Sequence, residues 1–239
     1  FIIRDDMKKP YIKKFSKIAN FTVWIVDGKY IRDNVNEEFT NYGQHYLFDF
    51  IPKNEFWIDK EGVPGEEKYY IDSMLVMNRL LAKGVSHAEA VRKADAIERR
   101  ERCKSKLLKQ EIKLEKQKDE IVKKVHIKLL KKFSNKKIKI WIVDGELVRD
   151  LFFIDFTEGG HNKIYPFIPI NEIWIDNDVE PREIKFVFLH ELHEKNLMAK
   201  GMNYDSAHKS SSEIEYFCRK NLKELDKKIR DEINKNSKE

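Results

Sequence analysis

The segment FIPKNEFWID at residues 50–59 returns as FIPINEIWID at residues 167–176, which indicates an internal duplication. Extended in both directions, residues 24–84 align without a gap to residues 141–201, and 26 of these 61 positions are identical. WIVDG begins the alignment in both copies and AKG ends it. Because self-similarity at a fixed spacing is the signature of repeated structural units, the sequence predicts two tandem copies of one small domain.

The duplication divides the chain into three parts. We expect copy one at residues 1–102, a helical linker at residues 103–135 and copy two at residues 136–239. In the linker, apolar residues recur every three to four positions among charges, which predicts a long amphipathic helix. A weak match of KKFS at residues 13–16 with KKFS at residues 131–134 extends the duplication upstream with a one-residue slip.

Each copy is predicted to fold as β-β-β-α-α, which makes the chain an α+β protein. The first two strands of copy one are expected as a hairpin within residues 20–33, because Asp-Gly between two β-rich runs is a favoured tight turn. The FIPKNEFWID segment supplies a third strand, whose proline restricts it to a strand start or a sheet edge. The residues before the hairpin are expected as a basic lead-in that is helical from about Tyr11.

Two helices complete each predicted copy. The first helix runs to Gly84 or Gly201, since glycine is a common C-terminal stop. The second helix begins near Ser86 in copy one and near Asp205 in copy two, and both residues are suitable N-caps. In copy one we expect this second helix to continue through the linker to about Phe133.

Charge and composition limit the classes of function that we expect for this chain. The 239 residues include 47 basic and 41 acidic side chains, and the two signs are intermixed, as on salt-bridged helix surfaces rather than a dedicated nucleic-acid face. No run approaches the roughly 20 apolar residues of a membrane span, and the charged start FIIRDDMKKP does not resemble a signal peptide. Cys103 and Cys218 fit no zinc spacing and indicate a reducing compartment, so we expect a cytoplasmic protein.

A polar cluster distinguishes copy two from copy one. The cluster is HELHE at residues 190–194, and its four polar positions correspond in copy one to Ser73, Met74, Val76 and Met77. His208 likewise replaces Val91, and His161 replaces Gln44. Buried ionisable groups are costly unless they are paired, hydrogen-bonded or bound to metal. Because the sister face is largely apolar, the cluster predicts a partly buried site in copy two alone.

Imidazole and carboxylate side chains in this pattern predict a metal centre for zinc or another divalent transition metal. On a helix, His190, His193 and Glu194 share one face, because residues three and four apart are neighbours. We expect His190, Glu194 and His208 as ligands, with His193 as an alternative ligand or as a residue that orients one. Glu191 is then placed to act as general base on a bound water.

The HELHE segment resembles the active helix of zincin metallopeptidases, in which His-Glu-x-x-His supplies two ligands and a general base. The resemblance covers about residues 171–215 and implies a metal-dependent hydrolase that acts on peptides. The chain departs from the motif because Glu194 stands where the second histidine belongs, and His193 is one place early. In zincins with a glutamate third ligand, that residue comes from the following helix, where Glu215 is the candidate. His161, in the loop EGGHNK, is a second accessory candidate.

Alternative functions follow from other parts of the sequence. The chain is alternatively a non-catalytic module that binds nucleic acid or a protein partner through the basic linker and the sheet faces. Nucleic-acid binding by such a module weakens steeply with salt. A metal in copy two is then at most structural. The amphipathic linker also allows a homodimer through a short coiled coil.

Overall fold

The computed structural model describes residues 10–62, 64–102 and 118–236. Contacts between residues divide the chain into two compact units, Phe1–Lys113 and Leu114–Glu239. Each unit combines helices with a small mixed sheet, so the predicted α+β class is confirmed. Residues 103–117, which include much of the expected linker helix, lie outside the described residues.

In the first unit, the described residues form four strands and three helices. In chain order these are β1 (Tyr11–Ile18), β2 (Phe21–Val26), α1 (Gly28–Asn34), β3 (Tyr42–Gln44), β4 (Glu55–Asp59), α2 (Glu67–Leu81) and α3 (His87–Arg102). The sheet order is β1-β2-β4-β3, with β2 and β4 parallel and the other two pairs antiparallel. Val23 and Phe56 from the sheet and Met74 from α2 belong to one buried core.

In the second unit, the described residues repeat this topology and add further helices. In chain order these elements are α4 (Lys118–Val125), β5 (His126–Leu129), β6 (Lys139–Val143), α5 (Gly145–Leu151), β7 (Gly159–His161), β8 (Glu172–Asp176), α6 (Ile184–Ala199), α7 (Tyr204–Lys220) and α8 (Leu222–Asn236). The sheet order is β5-β6-β8-β7. Helix α6 contacts β7, β8, α7 and α8. Its polar side chains therefore need partners inside the unit.

The hairpin predicted around Asp-Gly is wrong, and each unit contains the order β-β-α-β-β instead. Asp27 and Asp144 are N-caps whose carboxylates accept from the backbone N–H groups of Tyr30 and Leu147, at 3.3 and 2.9 Å. An aspartate that caps a helix and one that opens a tight turn give the same local signal. Glycine is needed here because the backbone lies close to the buried Asp176 carboxylate. A Cβ on Gly145 would lie 2.0 Å from that carboxylate.

The strand that pairs with β2 lies upstream, where a helical lead-in was expected. Tyr11–Ile18 forms β1, and the chain turns through Ala19, whose φ is +48°. The third predicted strand is confirmed as β4 and β8, which begin after a proline and lie inside their sheets. The hairpin of β1 and β2 therefore lies before Asp27-Gly28 rather than around it.

The predicted continuation of a helix to about Phe133 is wrong, because α4 ends at Val125 and β5 follows it. Residue His126 pairs with Val143 just as Tyr11 pairs with Val26, so these positions are equivalent. The two KKFS segments are therefore not structural counterparts, since the first lies within β1 and the second lies after β5. The expected linker at residues 103–135 accordingly includes a strand of the second sheet.

The paired helices end and begin largely as the sequence predicts. Gly84 and Gly201 follow the first helix of each pair with φ of +78° and +92°, values that favour glycine. Ser86 accepts from the N–H of Glu89 at 3.4 Å, but the N-cap of α7 is Asn203 rather than Asp205. Within the described residues, the structure contains no helix with the length and apolar character needed to cross a membrane.

Candidate metal centre

Both units contain the same buried ion network between their paired helices. In the second unit, Arg219 on α7 lies 2.7 Å from Glu183, which precedes α6, and 2.8 Å from Glu215. The corresponding distances in the first unit are 2.7 and 3.0 Å, and the residues are Arg102, Glu66 and Glu98. Because both units contain the network, it belongs to the shared fold. In the second unit, Glu215 also contacts the polar cluster.

Glu215 fixes the orientation of His190. The Nδ1 atom of His190 lies 2.9 Å from Glu215 Oε2. Burial alone would raise the pKa of Glu215, but the hydrogen bond to His190 and the charge of Arg219 lower it. An ionised carboxylate only accepts, so His190 Nδ1 carries the hydrogen and donates it. Burial lowers the pKa of His190, but hydrogen bonds to Glu194 and Glu215 raise it well above its ordinary value, so a metal at Nε2 would displace the hydrogen that this atom directs at Glu194. Glu215, an accessory candidate from the sequence, thus orients the imidazole of His190.

Three potential ligand atoms converge beyond His190. His190 Nε2 lies 3.2 Å from His208 Nδ1 and 3.8 Å from Glu194 Oε2, and the last two atoms are 2.9 Å apart. Zinc binds nitrogen and oxygen at about 2.0–2.2 Å, so a tetrahedral site spaces its ligand atoms roughly 3.3 Å apart. The three observed distances bracket that value. The predicted set of His190, Glu194 and His208 is therefore brought together with the spacing of a metal site.

His161 supports this set from the second oxygen of Glu194. Its Nδ1 accepts from the backbone N–H of Lys163 at 3.2 Å, so the hydrogen of the neutral ring lies on Nε2. Nε2 donates this hydrogen to Glu194 Oε1 at 3.1 Å. Burial alone would raise the pKa of Glu194, but the hydrogen bonds to His161, His190 and His208 lower it. His161 therefore orients the ionised Glu194 carboxylate through Nε2.

Replacing His161 by Gln, the residue that copy one has at this position, is expected to weaken zinc binding by about 10–100-fold. Glutamine cannot hold the buried Glu194 carboxylate with the same rigid ring donor. Competition against a chromophoric chelator measures the affinity, and the exposed His87→Gln in the first unit is the matched control. An unchanged affinity would contradict the orienting role, and complete loss of binding would make His161 a direct ligand.

Glu191 lies beside the converging ligand atoms. Oxygen atoms of Glu191 and Glu194 and a nitrogen of His161 lie within 4.8 Å of one another. Burial raises the pKa of Glu191 to about 8; the nearby Glu194 and Glu158 add to the rise, and His190 and His208 oppose it. A carboxylate whose pKa lies near neutrality is well matched to proton transfer.

Gly159 is a site residue that was missed from the sequence. A Cβ at Gly159 would lie 3.2 Å from Glu191 Cγ and 2.8 Å from Val187 Cγ1, so glycine allows β7 to approach this part of α6. Copy one has Tyr42 at this position, and its ring stacks on Tyr70 with centroids 4.7 Å apart. The exchange of a packed tyrosine for glycine was visible in the alignment of the two copies.

The structure does not bring His193 to the converging ligand atoms. His193 Nδ1 lies 2.9 Å from Glu232 Oε1 on α8, and its Nε2 lies 3.0 Å from Ser210 Oγ on α7. One helical residue corresponds to about 100°, so His193 and Glu194 face different neighbours. No pattern in the sequence indicated that α8 packs against α6. The expectation that His193 binds the metal or orients a ligand is therefore not met.

Comparisons of the chain with protein-family profiles, curated proteins and solved structures found no significant match. The resemblance to zincins accordingly depends on residues 171–215, with the HELHE segment at their centre.

Proposed function

We propose that the second unit is a metal-dependent hydrolase. His190, Glu194 and His208 hold zinc or another divalent transition metal, and Glu191 is the general base. The proposal depends on one observation: the three candidate ligand atoms form a triangle with edges of 2.9, 3.2 and 3.8 Å. The orientation of His190 by Glu215 and of Glu194 by His161 supports it further.

The donor set favours a catalytic centre over a structural one. Structural zinc sites have four protein ligands, whereas catalytic sites have three and an open position. Among the described residues, the converging set offers three ligand atoms, because the hydrogen of His161 Nε2 is directed at Glu194. The His208 side chain is 33% exposed, so the open position lies on the side that solvent reaches.

The chemistry follows from the position of Glu191. A bound divalent metal lowers the pKa of its water and polarises a substrate carbonyl. Glu191 removes a proton from the attacking water and delivers it to the leaving group. Burial raises the pKa of this carboxyl to about 8, and the charge of a bound divalent metal would lower it, so that the carboxylate form is available near neutral pH. A peptide is the proposed substrate, on the basis of the zincin resemblance.

Elemental analysis of purified, untagged protein tests the metal centre directly. We expect about one equivalent of metal per chain, as a single three-ligand site predicts, and loss of that metal in His190→Ala. His87→Ala, at an exposed histidine of the first unit, should keep the wild-type content. If the wild type binds no metal after incubation with zinc, manganese and iron, the hydrolase proposal fails.

The alternative function, a non-catalytic module, depends on the linker. Nucleic-acid binding and homodimer formation were both expected through its basic helix, and residues 103–117 lie outside the described residues. A structural metal is the alternative that the second unit itself allows. Metal bound without any hydrolysis would favour that alternative.

A further inference from the structure

A second hydrogen-bonded chain of polar residues crosses the helices of the second unit. Ser210 Oγ on α7 lies 3.0 Å from His193 Nε2, and His193 Nδ1 lies 2.9 Å from Glu232 Oε1 on α8. Asn196 holds the same carboxylate at 2.9 Å, donating from Nδ2 to Oε2. The buried Glu232 accepts the Nδ1 hydrogen, so Nε2 accepts the Ser210 hydroxyl hydrogen. Ser210 therefore donates to His193, and His193 donates to Glu232, which is the order of hydrogen bonds in a serine hydrolase triad.

Ser210 differs from the two serines that follow it on α7. Ser211 and Ser212 donate to backbone carbonyls one turn earlier, those of Ala207 and His208, at 3.0 and 3.1 Å. Such bonding to the preceding turn is the usual arrangement for a serine inside a helix. Ser210 instead directs its hydroxyl to His193. The copy-one counterparts of Ser210 and His193 are Lys93 and Val76, so the fold does not require this chain.

A cleft of about 510 Å³ opens beside His193. Its lining residues come from α6, α7 and α8, and they are His193, Ile214, Lys228, Asp231, Glu232, Asn234 and Lys235. Ile214 lies one helical turn after Ser210, so both residues are on the same face of α7. The lining carries both signs of charge, and the ammonium group of Lys235 lies 2.6 Å from Glu232 Oε1. The cleft thus contains one apolar side chain and the His193–Glu232 part of the polar chain, while Ser210 lies behind His193, outside the lining residues.

We propose that Ser210, His193 and Glu232 form a second hydrolytic site, in which Ser210 is the nucleophile toward small carboxylic esters. His193 is the base and Glu232 positions its ring, which are the roles of a serine triad. The site uses none of the three metal-ligand residues. It also accounts for His193, the member of the HELHE segment that the metal centre leaves unused.

The reaction is balanced without a further reactant besides water. Ser210 Oγ bonds to the acyl carbon, its proton moves to His193 Nε2, and the carbon–alkoxide bond breaks. His193 then protonates the departing alkoxide, which leaves as an alcohol. Water attacks the acyl-serine by the same route, so that a carboxylic acid leaves and Ser210 regains its hydroxyl.

A fluorophosphonate probe tests whether Ser210 is activated. The serine oxygen displaces fluoride from phosphorus, and mass spectrometry of peptides locates the added mass. We expect the adduct on Ser210, and we expect His193→Gln to lower the labelling rate by about 100-fold or more, as for loss of a general base. Glu232→Gln should lower it as well, because the amide NH2 can donate to Nδ1 and so favour the tautomer whose hydrogen lies on Nε2, which cannot accept from Ser210.

The exposed Ser206 on the same helix is the internal reference for an unactivated serine. Labelling of Ser210 no faster than Ser206 in the wild type, or an unchanged rate in a folded His193→Gln, would overturn the proposal. Labelling of Ser210 should persist after treatment with EDTA. Metal content measured on the same preparation tests the metal centre separately, so failure of either proposal leaves the other to be judged by its own measurement.

Discussion

Replacing Glu191 by Gln is expected to lower the rate of metal-dependent hydrolysis by about 10²–10⁴-fold, the usual contribution of a general base. The amide matches the carboxylate in size but cannot accept a proton. His190, Glu194 and His208 keep their positions, so the metal content should stay at the wild-type value. A peptide library analysed by mass spectrometry identifies the substrate, and the rate is then measured on a cleaved peptide in both proteins.

The exposed Glu213→Gln on α7 is the matched control for this substitution and should cleave at the wild-type rate. Equal cleavage by Glu191→Gln would remove Glu191 from the mechanism. A wild type that carries metal and cleaves no peptide would leave a structural metal as the better description.

Replacing Arg219 by Met is expected to destabilise the second unit by about 3–5 kcal/mol, the cost of breaking a buried ion network by removing one partner. Glu183 and Glu215 would remain buried without their cation. His190 would also lose the fixed carboxylate that orients its ring. Hydrogen exchange followed by mass spectrometry reports the stability of each unit separately, and it should show faster exchange in α6 and α7.

Arg102→Met is the matched variant, because Arg102 holds the equivalent network in the first unit. It should accelerate exchange in α2 and α3 while leaving the metal content unchanged. If hydrogen exchange showed that Arg219→Met lowers the free energy of unfolding by less than about 1 kcal/mol, the network would be a minor contributor to folding.

The sequence was sufficient for the duplication, for the paired helices and for the convergence of His190, Glu194 and His208. His190 and Glu194 are one helical turn apart, and His208 follows a short glycine turn, so local spacing predicted their meeting. The apolar counterparts in copy one indicated that the site is partly buried. These inferences held because each depended on neighbours along one helix or on a direct comparison of two copies.

Other features depended on contacts that a single sequence does not encode locally. The Asp-Gly pair is compatible with a tight turn and with a capped helix. The distant Asp176, whose carboxylate lies against Gly145, decides between them in the fold. His193 follows the same helical spacing as the ligands, yet Glu232 on α8 determines its role. The tautomer of His161 depends on the backbone N–H of Lys163, which no residue pattern reveals.

The buried arginine–glutamate network also bears on how this chain evolved. Since both halves carry it, the common ancestor already contained a fixed carboxylate, represented today by Glu98 and Glu215. A histidine that arose at the position of Ser73 or His190 would have had this carboxylate as a hydrogen-bond acceptor from the start. Gain of the first oriented imidazole, or its loss from copy one, therefore required the replacement of one residue rather than the assembly of a new scaffold.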